Sequence, residues 1–362
     1  MISIKQRKIR QVLGALSALY VVVSVFFGCY PKAVIYTFPN EKIKGVAFVA
    51  PRDSLEVSSY QPVKRVNAEW VALMPYGYTR EGTADFVYAQ DNDWRWWGES
   101  PSGVAHCVRV AHAQGLKVML KPHMWAGRGS FTGHFELATE AEWLTFEKGF
   151  ASYLLEFARV AHSTDVELYC IATEMQTFVK LRPQFWFQLI RDIKKIYKGK
   201  LTYAENWDAY QEVPFWHELD FVGIDAYFPL SEGQSPKLEE LKKGWKPHLK
   251  ALEKYSAKTQ KPILFTEFGY VSSDFAARRP WEAERNRPEN QALQARAYEA
   301  FFEETWPQGW LAGGFVWKWF PSLQIGERPS DPFSPQNKGA EAVLERYFGS
   351  DDRAGIPVMN DE

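Results

Sequence analysis

The chain has 362 residues, 46% of them hydrophobic and 16% aromatic, with a formal net charge of −1. That suffices for one large core, since α/β barrels of roughly 250 residues or more fold as single domains. The near-neutral charge lacks the basic footprint of a nucleic-acid binder, and no such partner is expected.

Lys5, Arg7, Lys8 and Arg10 precede an apolar stretch at residues 12–27, the pattern of a positive n-region and an h-region. A full helical span takes about 20 apolar residues, so this one is short. A cleaved signal peptide, an uncleaved anchor and a lipoprotein signal all fit residues 1–30. Phe26-Phe27-Gly28-Cys29 is similar to a loose lipobox without its usual Leu, which makes Cys29 a candidate for lipid attachment. Each reading implies export, with the protein secreted or membrane-anchored and the membrane met only through this segment. Residues 31–43 read as a linker.

Strand-like runs then recur at residues 45–50 (GVAFVA), 70–74 (WVALM), 117–122 (KVMLKP) and 166–173 (VELYCIAT). Four more lie at 201–206 (LTYAEN), 221–226 (FVGIDA), 262–268 (PILFTEF) and 314–317 (GFVW). Continuous apolar runs of this length read as buried parallel strands. The segments between them are amphipathic. In 140–162, Trp143, Phe146, Phe150, Leu154, Phe157 and Ala161 recur at spacings of three or four, which makes one helical face apolar. Segments 183–197, 238–255 and 290–306 repeat the theme, with Pro183 and Pro288 placed to open helices. Strand–helix alternation eight times over predicts an α/β fold, a (β/α)8 TIM barrel spanning 44–348 as one catalytic domain. A doubly wound open sheet is the rival. It would carry a Gly-rich turn after its first strand, where this chain has Ala50-Pro51-Arg52-Asp53. A helical pattern at 338–347 closes the barrel and 349–362 is a polar tail.

Cys29, Cys107 and Cys170 form no disulfide framework, and the seven His show no HExxH or Cys/His cluster. No metal or other cofactor is expected.

In a barrel the C-terminal ends of the strands converge on one face. The third run ends in Lys121-Pro122-His123, then Trp125, and the fourth in Thr173-Glu174. The fifth ends in Glu205-Asn206-Trp207, the sixth carries Asp225 and Tyr227, the seventh Glu267 and the eighth Trp317 and Trp319. Two acids, an amide, an imidazole, a phenol and several indoles would face one cavity. Flat aromatic faces with polar tips suit sugar rings. Two carboxyls with separated pKa values suit glycosidic cleavage, one protonating the leaving oxygen and one meeting the oxocarbenium carbon. Glu174 and Glu267, each preceded by Thr, are the candidates, and a retaining site would hold them about 5–5.5 Å apart. The plainer alternative makes each a structural acid bound to a rim cation. Strand alternation places Ile263 and Phe265 on the inward face with Glu267.

These residues give the chain a resemblance to the clan A glycoside hydrolases, within which it is most similar to glycoside hydrolase family 113, chiefly β-mannanases. The marks are Lys121-Pro122-His123, Ile171-Ala172-Thr173-Glu174, Gly223-Ile224-Asp225-Ala226-Tyr227-Phe228-Pro229, Thr266-Glu267-Phe268-Gly269-Tyr270 and Trp317. The resemblance implies a retaining hydrolase of β-1,4-mannan or manno-oligosaccharides, with Glu174 as acid/base and Glu267 as nucleophile. It implies that Tyr227 bonds the nucleophile, that Trp317 floors the sugar subsite at the cleavage point, and that His123 and Asn206 line it. Most of the clan has Asn before the acid/base. Here it is Thr173, which leaves the sugar 2-hydroxyl contact unassigned. A retaining hydrolase of another β-glycan such as β-glucan, and a non-catalytic cell-surface glycan binder, are the alternatives.

Other signals have plainer readings beside the functional one. Asp225 either touches sugar or pairs with Lys121 across the barrel. Trp125 and Trp207 are candidate substrate platforms or core aromatics. Asp93-Trp94-Arg95-Trp96-Trp97 reads as a loop cluster packed on the rim more than a distal sugar site. Glu205 should face away from Asn206, on the packing side. Arg52 and Tyr76 close the first two strands as further candidates for substrate contact, and Cys170 reads as core filler.

Overall fold

The computed structural model describes residues 41–350, apart from 92–95, 128, 284–285, 322, 324–325 and 328. The signal or anchor segment with Cys29, the linker up to residue 40, Asp93-Trp94-Arg95 and the tail from residue 351 lie outside the described residues.

The eight apolar runs form eight parallel strands: β1 (Ile43–Phe48), β2 (Trp70–Leu73), β3 (Lys117–Leu120), β4 (Leu168–Thr173), β5 (Lys200–Asn206), β6 (Val222–Asp225), β7 (Ile263–Phe268) and β8 (Leu311–Trp319). Each pairs with its neighbour and β8 returns to β1, so the sheet closes into a barrel. Ala72, Met119, Leu168, Cys170, Ala204, Leu264, Ala312 and Phe315 form an interior cluster. One ring dominates it. A Cβ on Gly45 would come within 2.3 Å of the Phe315 side chain, so β1 leaves that space to an aromatic from β8. The expected filler Cys170 belongs to this cluster.

The outer layer follows the amphipathic segments. The helices are α1 (Gln61–Arg65), α2 (Pro101–Ala113), α3 (Glu140–Ser163), α4 (Gln176–Leu181), α5 (Pro183–Ile196), α6 (Leu238–Thr259), α7 (Gln291–Glu304) and α8 (Gly339–Gly349). Helix α3 starts on a capping box between Thr139 and Glu142, which satisfies otherwise orphaned N–H groups. It buries all six of the spaced apolar residues. Pro183 opens α5. Pro288 does not open a helix: α7 begins at Gln291, where the Asn290 side chain accepts from the Leu293 N–H. Asn supplies a side-chain acceptor for that N–H, which a proline ring lacks. The strand–helix alternation lapses once, since β5 passes to β6 through two 3-10 turns, Tyr210–Glu212 and Trp216–Glu218.

Above β2 and β3, a small sheet joins Tyr76–Tyr78, Val87–Tyr88 and His123–Trp125. It sets Tyr76 beside His123.

Simple alternation fails on β7. Ile263 and Phe265 pack outward in the layer shared with the helices, while Leu264 fills the barrel. The pairing with β6 shifts register between Phe265 and Glu267. An extra residue on one strand reverses the face of everything after it, so Glu267 still points inward. A similar shift lies between Cys170 and Thr173 on β4, just before Glu174.

Candidate active site

The mouth of the barrel is built around a buried cation. Lys121, one residue beyond β3, is wholly buried, and its Nζ donates to both Asp225 oxygens, at 3.1 and 3.2 Å, and to Glu267 Oε1. A lone ammonium would be expensive there. Burial alone pulls its pKa down, but the charges of Asp225 and Glu267 outweigh that and the net shift is upward. The expected Lys121–Asp225 pair is thus present, and it extends to Glu267.

Glu267 occupies the end of β7, in register with Asp225 of β6, which is in turn in register with Asn206 of β5. Tyr227 Oη donates to Glu267 Oε2 at 2.7 Å, and Thr266 Oγ1 donates to Asp225 Oδ1 at 2.8 Å. His123 Nε2 lies 3.5 Å from Glu267 Oε1, outside hydrogen-bond geometry. Burial, then the charge of Lys121, hold the imidazole well below its usual range, so it is neutral. The ring stacks on Trp317 at 6.0 Å and lies 5.1 Å from Tyr76. Burial and the charge of Asp225 raise the Glu267 carboxyl to about 7, against the pull of Lys121 and Tyr227.

Glu174, immediately after β4, is half-buried and has φ 50. Its carboxyl is raised well above the usual range, first by burial and next by the charges of Asp225 and Glu267. No cation contacts it among the described residues, whereas Glu267 holds one. The two acids therefore sit in unlike environments: Lys121 and Tyr227 draw Glu267 toward its ionised form, while burial and the neighbouring anions favour the proton on Glu174. Such a pair can donate a proton on one side of a bond and supply an anion on the other.

The remaining candidates divide. Asn206 lies at the end of β5 with its Oδ1 accepting from the Trp207 N–H at 3.0 Å. Trp207 stacks on Trp281 at 5.7 Å and meets the edge of Phe228. Trp125 lies at the end of the small mouth sheet, 48% exposed. Trp319 is core, fully buried. Arg52 is exposed on the loop after β1, in a hollow of about 430 Å3 shared with Trp96 and Phe320. Trp97 packs edge-on against His106 of α2, whereas Trp96 is exposed. Glu205 faces away from Asn206, fully buried behind the strand. Sequence reasoning passed over Lys121 as a partner of Glu267, and Trp281 altogether. The signal for Lys121 was a cation closing the apolar run VML. Among the described residues, no group of three or more His, Cys, Asp or Glu is placed to hold a metal ion.

A sequence model of Glycoside Hydrolase Family 113 matches residues 30–332. No curated protein matches the sequence significantly. Among solved structures, the GH113 β-mannanase AaManA from Alicyclobacillus acidocaldarius superposes with a TM-score of 0.74 at 24% identity, over 87% of this chain and 99% of that one. A GH113 β-1,4-mannanase gives 0.74 at 23% identity, over 86% and 100%. The β-glucuronidase of Ruminococcus gnavus gives 0.58 at 13% identity, over 85% of this chain and half of that one. At these identities the superpositions speak for the barrel fold.

Proposed function

The chain belongs to glycoside hydrolase family 113 and is a glycosidase, and we propose that it cleaves β-1,4-mannan or manno-oligosaccharides by a retaining double displacement. The observation that carries the mechanism is the unequal pair of strand-end carboxyls, Glu174 without a cation and Glu267 against Lys121.

In the first step the ionised Glu267 attacks the anomeric carbon as the glycosidic C–O bond breaks. The departing oxygen takes the proton of Glu174, and a covalent glycosyl-enzyme forms. Tyr227 and Lys121 favour the anionic form of Glu267 before attack. Ester formation removes that negative charge, which had been raising the pKa of Glu174. Glu174, now a carboxylate, is then the stronger candidate to take a proton from water as the water attacks the anomeric carbon and releases Glu267. Trp317, stacked on His123, offers a floor for the ring being cleaved. Asn206, Trp125 and Trp207 remain proposed contacts at or beside that subsite, whereas Asp225, wholly buried with its oxygens taken by Lys121 and Thr266, does not reach the sugar. The mannan preference follows the GH113 mannanase neighbours.

Purified protein assayed on mannan beside cellulose and xylan tests the substrate. Faster turnover of cellulose or xylan than of mannan would reassign it to another β-glycan. Glu174→Ala should keep activity on activated aryl glycosides and respond to azide, while Glu267→Ala should be inactive on every substrate. Equal loss from both would undo the division of roles, and unaltered glycan affinity with no wild-type turnover would indicate a binder.

The four cations and apolar stretch of residues 1–30 support export, as a cleaved, anchored or lipidated form, with 31–43 as spacer and 349–362 as tail. Cell fractionation with mass measurement of the mature N-terminus distinguishes these forms. Recovery of the whole intact chain in the cytoplasm would refute export.

A further inference from the structure

Glu205 is a buried acid that the double displacement does not use. It is 1% exposed, and no Lys, Arg or His forms an ion pair with it among the described residues. A carboxyl placed there needs compensating hydrogen bonds. It receives two. Tyr203 Oη donates to Oε2 at 2.9 Å and the Asn206 N–H donates to Oε1 at 2.9 Å.

The chain of contacts continues to the other acid. Tyr203 Oη accepts from the N–H of Met175, the residue after Glu174, at 2.8 Å. The N–H of Glu174 itself donates to the Ala204 carbonyl at 2.8 Å. Both amides that flank the Glu174 Cα are therefore held by β5, one by its backbone and one by a side chain. That matters because Glu174 has φ 50. A non-glycine residue adopts that region at a steric cost and keeps it only where its surroundings impose it. Tyr203 is itself fixed, buried among Trp186, Phe215 and Trp216.

We propose that Tyr203 and Glu205 form a clamp behind the barrel wall that holds Glu174 in its left-handed conformation and so aims its carboxyl at the cleavage point. Neither touches substrate; both are positioning residues. The inference rests on Glu174 acting as the acid/base. Beyond burial, the charges of Asp225, Glu267 and, least, Glu205 raise the Glu174 carboxyl, and that of Lys121 lowers it.

The test uses the full chain and a series of aryl β-mannosides or manno-oligosaccharides whose leaving groups differ in acidity, read as kcat/KM. Tyr203→Phe removes the hydroxyl and keeps the ring. A misaimed acid costs most where the leaving oxygen needs its proton. Loss should reach about 10- to 100-fold for the poorest leaving groups and stay under about threefold for a dinitrophenyl one. Glu205→Ala deletes the acceptor of the Tyr203 hydroxyl, so it should show the same dependence on the leaving group. A uniform loss across the series, or none, in Tyr203→Phe would overturn the clamp. If that variant does not fold, Glu205→Ala decides instead: a loss confined to poor leaving groups supports the clamp, and a uniform loss or none refutes it. A wild-type protein inactive on the whole series would instead remove the catalytic reading, and the clamp with it.

Discussion

The ammonium of Lys121 and the carboxylate of Glu267 meet across the barrel, from residues 146 positions apart in the chain, with Asp225 completing a buried triad. A cation in contact favours the ionised carboxylate, and burial magnifies the effect. Lys121→Met should therefore raise the Glu267 pKa. The acid limb of kcat/KM should move to higher pH by about one unit or more. The variant leaves Asp225 buried without its cation, so stability should fall by about 3–5 kcal/mol in denaturant unfolding. An unmoved acid limb in a folded variant would separate Lys121 from the chemistry.

Tyr227 supplies the second hydrogen bond to Glu267. Burial and the charges of Glu267 and Asp225 push its hydroxyl pKa well upward, so it stays a donor through the working pH range. Tyr227→Phe deletes one bond to a charged group, worth about 1.5–3 kcal/mol. The expected loss in kcat/KM is about 10- to 100-fold, with the acid limb displaced upward as for Lys121→Met and a stability loss of about 1.5–3 kcal/mol, smaller than for that variant. Steady-state rates across pH 4–9 measure both.

Trp281 is 43% exposed and stacks on Trp207, the residue after Asn206. That pair extends an aromatic surface outward from the end of β5. Trp281→Ala should raise KM for long oligosaccharides about five- to tenfold and leave kcat/KM on a short aryl glycoside unchanged. The same change on both substrates would place the indole outside any sugar subsite.

Glu205 ties the stability of the fold to pH. Burial raises its carboxyl from 4.5 to about 7, against the lowering effect of the Asn206 N–H and the Tyr203 hydroxyl. The folded protein therefore holds this proton where the unfolded chain has released it. The contribution is complete below the unfolded value and is lost as pH climbs through about 7. At about 1.4 kcal/mol per unit it amounts to a few kcal/mol. Chemical denaturation at pH 5 and pH 8 should show the wild type weakening more than Glu205→Gln. Equal pH dependence would mean that Glu205 titrates at its ordinary value in the folded state.

The barrel was legible in the sequence because its strands are buried on both faces. Such strands must be apolar throughout, and runs like VELYCIAT and PILFTEF say so without help from their neighbours. The two acids were legible for a related reason: a carboxyl ending such a run lies at the barrel mouth, wherever the chain closes. Which way they point was decided only by the tertiary structure. Register shifts before Glu174 and Glu267 break the alternation that would assign their faces, and a shift belongs to the pairing of two strands rather than to either alone. The environments of the acids were decided there too. Lys121 reaches Glu267, and Tyr203 reaches the Met175 N–H, only when the sheet closes and brings distant segments to within a hydrogen bond.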